Sequence, residues 1–156
     1  MYLALKTLHV LAVVLFLGNI ITGIFWKAHA DRTGDARIIA HVMDGIIWSD
    51  RVFTVPGVVL LTIFGMAAAI TGRLPILGTG WIWQGIVLLG IAGIVFGFRL
   101  APLQRAMREV ARQGASGGPW DTAAYAKLSK QWAFWGVVAL VTPLAAVFLM
   151  VLKPAS

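Results

Sequence analysis

The chain contains no cysteine. Disulfides, thiolate metal sites and thiol catalysis are therefore excluded. Charge is scarce too: 12% of the 156 residues are charged, roughly half of what a soluble domain carries. Six residues are acidic, and none falls deep inside an apolar stretch, which argues against a proton-coupled transporter. There is no phosphate-binding G-x-x-x-x-G-K-[ST] loop, no G-x-S-x-G elbow, no H-E-x-x-H and no C-x-x-C-H. No set of acid, base and nucleophile can be drawn from what remains, so the sequence leaves open whether the protein is an enzyme.

What is present is apolar. Hydrophobic residues make up 60% of the chain. Four stretches, Thr7–Trp26, Val52–Gly72, Leu74–Phe98 and Gln131–Leu152, carry no charge, and each is at least 20 residues long. At about 1.5 Å per residue, each crosses a hydrocarbon core of roughly 30 Å as a helix. The fold class expected is all-α: a four-transmembrane-helix bundle forming one integral membrane domain over residues 1–156, with spans at about 4–26, 51–72, 79–99 and 131–152. A signal peptide ending at Ala28-His29-Ala30 is the rival reading of the N-terminus, but its apolar run exceeds the 7–15 residues typical of such segments.

The net charge of +7 comes from 13 basic residues gathered in short loops beside the spans. That placement favours anionic lipid headgroups over nucleic acid as the partner. Ten of the 13 fall in the first and third loops, between Lys27 and Arg51 and between Arg99 and Lys130. The positive-inside rule puts both loops in the cytoplasm and both termini outside, in a multi-pass protein of the bacterial inner membrane. The first loop has an amphipathic pattern. Ile38, Ile39, Val42, Met43, Ile46 and Ile47 share one helical side, and Arg37, His41, Asp44 and Trp48 share the other. This helix either lies on the cytoplasmic surface or runs on into the second span, in which case Pro56 kinks it. Thr71-Gly72-Arg73-Leu74-Pro75 reads as a helix stop, and the short connections imply that consecutive spans are neighbours. Gly93 and Gly97, like Gly65 and Ala69, are small-xxx-small pairs suited to close packing, within the chain or across a homo-oligomer seam.

Few residues inside the spans can carry chemistry. His9 shares a stripe with Ala12, Phe16, Asn19, Gly23 and Lys27, a face that should look into the bundle. A neutral imidazole there is a candidate axial ligand to haem, with Asn19 beside it and Met66 as a possible thioether partner. The alternative is an interfacial histidine bonded to a neighbouring helix. His29, His41 and Asp44 form a candidate divalent-metal set, against a reading as a solvated polar face. Asp50 and Arg51 open the second span and are read as its cap.

Some of these patterns belong together. Tyr2-Leu3-x-Leu5-Lys6-x-Leu8-His9-Val10, Asp50-x-x-Phe53-x-x-Pro56, Thr71-Gly72, Gly80-Trp81-Ile82-Trp83 with Gly85, and Met150-Val151-x-Lys153-Pro154 resemble a family of bacterial integral membrane proteins of unknown function. The first span also resembles that of the HemJ-type protoporphyrinogen oxidases, and copper-resistance D-type membrane proteins are distantly similar. The oxidase resemblance implies a role for His9 in binding haem b. It extends no further, because Trp81-Ile82-Trp83-Gln84-Gly85 lacks the His and Lys of the oxidase's Trp-x-His-x-Lys. Two functions from different classes follow. One is a redox-associated protein binding haem b or a metal through His9. The other is a non-enzymatic accessory, conduit or lipid-interacting protein without cofactor.

Overall fold

The computed structural model describes residues 1–154; the last two residues of the expected domain, 155 and 156, lie outside the described residues. Six α-helices follow in order: α1 (Tyr2–Asp31), α2 (Ala36–Ser49), α3 (Val55–Thr71), α4 (Gly80–Val95), α5 (Ala101–Ala115) and α6 (Thr122–Leu152). A π-helical turn, Asp50–Thr54, joins α2 to α3, and a second, Phe96–Leu100, joins α4 to α5. The chain therefore makes four continuous helical rods of 30, 36, 36 and 31 residues, each long and apolar enough to cross a membrane. Rods of about 45–54 Å overshoot a 30 Å core. The excess projects at the end that carries the first and third loops, here called the basic end.

Both alternatives for the first loop are thus resolved in favour of extension: the amphipathic helix is the leading part of the second rod. Asp35 caps it by accepting from the Arg37 backbone N–H at 2.8 Å, and Asp121 caps α6 through Ala124 N–H at 2.9 Å. In the same way α5, which carries Arg105, Arg108 and Arg112, continues the third rod beyond α4. Each π-turn has a proline two residues past its end. Pro56 and Pro102 have no N–H to give Val52 and Phe98, so the preceding turn widens. The bonds Val55 N–H to Asp50 C=O and Ala101 N–H to Phe96 C=O close the wider loops.

The rods do not pack simply as sequential neighbours. α1 packs along α3, and α4 along α6, while α2 packs on α5 at the basic end. No Cα of α3 comes within 8 Å of one in α4, although an eight-residue turn joins them. The second and third rods meet in their basic halves and part in their other halves. The main core is accordingly at the basic end, where Met43 and Met107 are fully buried among Ala30, Ile39, Ala111 and Tyr125. Elsewhere the rods turn apolar side chains outward. Val14, Ile63, Ile94 and Val141, one on each rod, are more than half exposed, as suits a surface solvated by lipid.

The α1–α3 seam is built on glycine. A Cβ on Gly57 would lie 3.2 Å from Phe16, one on Gly65 2.9 Å from the His9 ring, and one on Gly72 2.9 Å from Tyr2. Tyr2, His9 and Phe16 recur every seven residues, so each meets a glycine of the antiparallel rod. Gly72 is glycine for this steric reason, since its own φ of −79° suits any residue. The left-handed residue of the stop is Arg73 (φ 54°), with Arg73 N–H bonding Ile70 C=O and Leu74 N–H bonding Ala69 C=O. The Gly65 pair thus packs within the chain. Gly93 and Gly97 do not: no other helix lies within 4 Å of a Cβ on either.

Candidate functional site

The first π-turn carries the most deeply placed acid. Asp50 is 8% exposed, and the widened turn sets it opposite α1 and α5. Its Oδ1 accepts from Thr54 Oγ1 at 2.7 Å and from Asn19 Nδ2 at 3.0 Å; its Oδ2 accepts from Gln104 Nε2 at 2.9 Å. Asn19 Nδ2 also donates to Thr54 Oγ1 at 2.8 Å. Three rods therefore converge on one carboxylate. All its donors are neutral, and among the described residues no ion pair includes Asp50. A buried carboxylate held this way is expensive in an apolar setting, and a position that retains it is a functional candidate. A carboxylate has about four acceptor sites; three are engaged, which leaves roughly one.

Asp50 lines a cavity of about 90 Å³ bounded by all four rods. Asn19, Asp50, Thr54 and Gln104 supply its polar wall; Phe16, Val58, Ala92 and Ala139 are among its apolar residues. Trp132 also lines it, is 6% exposed, and its indole Nε1–H has no acceptor among the described residues. The site thus sets one carboxylate, with the Thr54 hydroxyl bonded to it, in an otherwise apolar space.

A second polar cluster ties α1 to α6. Lys27, 4% exposed, pairs with Asp31 and donates to Ser129 Oγ at 2.7 Å. Its Nζ lies 5.2 Å from the Trp132 ring centre and 5.7 Å from that of Tyr125. Tyr125 donates to Asp31 Oδ1 at 2.6 Å. Lys27 marks the inward stripe expected of α1, whose buried members include Ala12 and Phe16, and apart from Asp31 its partners Ser129, Tyr125 and Trp132 come from α6.

His9 sits apart from both clusters. Its Nδ1 lies 2.7 Å from Leu61 C=O and donates to it. The gap beside it is about 40 Å³, lined by His9, Phe16, Leu89 and Met150 among others. Drug-sized ligands occupy roughly 300–1,000 Å³, and Gly65 is packed on the imidazole. Met66 is 37% exposed and does not line the gap, and Asn19 belongs to the other cavity. The residues around His9 do not fit a haem, and His9, Asn19 and Met66 do not form one site. His29, His41 and Asp44 are not gathered either. His29 is exposed, stacks on Phe25 and meets Trp26 edge to face. His41 is exposed. Asp44 takes two bonds of 2.9 Å from Arg112, with Arg108 at 3.8 Å. Among the described residues no group of three His or acidic side chains is placed to hold a metal.

Four apolar rods, lipid-facing surfaces and polar groups turned inward define a multi-pass integral membrane protein. More particularly, the chain belongs to the family described as "Predicted integral membrane protein (DUF2269)", whose model matches residues 3–154. No curated protein and no solved structure matches it.

Proposed function

We propose that this chain is a non-enzymatic binding protein of the bacterial inner membrane, with its basic end in the cytoplasm, that holds a small ligand at Asp50. The orientation is supported by the crowding of basic residues at that end. Arg51, Arg99 and Arg105 are exposed there, where they meet anionic headgroups. The observation that carries the reading is the Asp50 carboxylate itself: buried, free of any countercharge, bonded by three neutral side chains and facing an apolar cavity. Such a group is matched by one cation or one strong donor on a small apolar body.

The test is thermal unfolding of detergent-purified protein against n-butylammonium and, as control, butyrate. The ammonium should raise the melting temperature with concentration, reaching a stabilisation of about 2.7 kcal/mol at 100 Kd and rising logarithmically beyond it. Butyrate should not. Asp50→Asn, which keeps the size and one acceptor oxygen but removes the charge, should abolish the response. Equal melting with and without the ammonium in the native chain would remove the reading.

A further inference from the structure

We infer that the Asp50 cavity is reached sideways from the bilayer, through a window between the second and third rods, so that its ligand is a membrane-dissolved amphiphile rather than a water-soluble ion. The ligand class rests on the Asp50 reading above; the window does not.

Three observations place the window. First, α3 and α4 stand apart, with no Cα pair within 8 Å, and the cavity is lined from both, by Val55 and Val58 on one side and Ala92 and Gly93 on the other. Second, its rim is open: Val55 is 48% exposed, Gly93 is exposed, and a Cβ on Gly93 would meet nothing within 4 Å. Third, the bundle axis offers no wider route. Toward the basic end, Leu100 and Gln104 close the cavity beneath the packed α2–α5 core, where Met43 and Met107 admit no solvent. Toward the other end lies the smaller gap of about 40 Å³ beside His9, with Phe16 on the wall of both and Leu89 packed against Ala12, Phe16 and Leu61. The rim also lies within the uncharged runs Val52–Gly72 and Leu74–Phe98, at the level of the hydrocarbon. A molecule arriving there slides an apolar body past Val55 and Gly93 and presents its head to the free acceptor position of Asp50.

The full chain in lipid vesicles can be irradiated in the presence of a bilayer-dissolved aryl trifluoromethyl diazirine. Light expels N₂, and the carbene inserts into whichever C–H bond it meets, with no need for a titrating group. Mass spectrometry should find adducts on the outward residues Val14 and Ile63 and also on the buried cavity wall at Thr54 and Ala139, while Met107 stays unlabelled. Gly93→Phe, which has space for its ring, should cut the wall labelling at least fivefold and leave Val14 and Ile63 unchanged. Labelling of the outward residues without Thr54 and Ala139 in the native chain would overturn the window. So would wall labelling undiminished by Gly93→Phe in a variant whose melting temperature is native. Wall labelling together with no ammonium response would uphold the window and remove the ligand assignment alone.

Discussion

Replacing Lys27 by methionine isolates what a nearly buried cation contributes. The change keeps most of the aliphatic stem and removes the ammonium. Lost are the charged bonds to Asp31 and Ser129 and the cation's position over the Trp132 and Tyr125 rings. Removing one partner of a fully buried pair costs about 3–5 kcal/mol, largely from the charge left behind. Here the orphan is better placed than that. The Asp31 side chain is 28% exposed and keeps its bond from Tyr125. The expected loss is therefore smaller, about 2–4 kcal/mol. Lys27→Ala also removes three buried methylenes, at about 0.8 kcal/mol each, and should cost roughly 2 kcal/mol more. The deciding variant is Lys27→Met with Asp31→Asn. If the penalty is the uncompensated carboxylate, the double variant recovers most of the single variant's loss. Reversible unfolding in mixed micelles titrated with sodium dodecyl sulfate reads the differences. A Lys27→Met cost under about 0.5 kcal/mol, or a double variant no more stable than the single one, would refute the reasoning.

The glycine seam gives a contrast measurable by the same titration: Gly65→Ala must displace the His9 ring and should cost about 1–3 kcal/mol, whereas Gly93→Ala meets no neighbour and should be neutral or slightly stabilising. Purified from haem-replete cells, the protein should show no Soret band in its visible spectrum; a stoichiometric band lost on His9→Ala would contradict the geometry found around that residue. Asp44→Ala should shift stability by at most about 1 kcal/mol, because its pairs with Arg108 and Arg112 are open to solvent; a larger loss in the titration would mean that the pairs are desolvated in the membrane. A C-terminal alkaline phosphatase fusion should be active outside the cytoplasm, and activity only of a cytoplasmic reporter would reverse the orientation.

The four rods were legible because lipid imposes a simple pattern: uncharged runs of at least 20 residues bounded by Lys or Arg. The inward stripe of α1 was legible as well, since its small and polar residues repeat with the helix. Whether α2 was a surface helix or an extension was not, because the same apolar face serves either contact. Pro56 was read as the source of a kink. Pro102 is its counterpart, two residues past the second π-turn. The Asp50 site was half visible. Asn19 was singled out for a haem, and Asp50 for a helix cap; Thr54 and Gln104 were passed over. A signal was available in depth. Asn19, Asp50 and Gln104 lie about 12, 14 and 11 residues from the basic ends of their rods, or roughly 16–21 Å. Polar side chains at one level on three rods are placed to meet. The parting of α3 and α4 had no such signal, since a short turn ordinarily keeps its helices together.

The two π-turns have a consequence for how the sequence can change. Each holds one residue more than an α-helical turn would, and one residue is about 100° of rotation. The halves of the second and third rods are therefore set out of phase. α3 can keep its glycines on α1 while α2 turns Met43 toward α5. Deleting any single residue between Asp50 and Thr54 would restore an even winding and swing one half by that angle, so that the seam and the basic-end core could no longer be satisfied together. A point substitution at the same positions keeps the phase. These two five-residue segments should thus accept changes of side chain far more readily than changes of length.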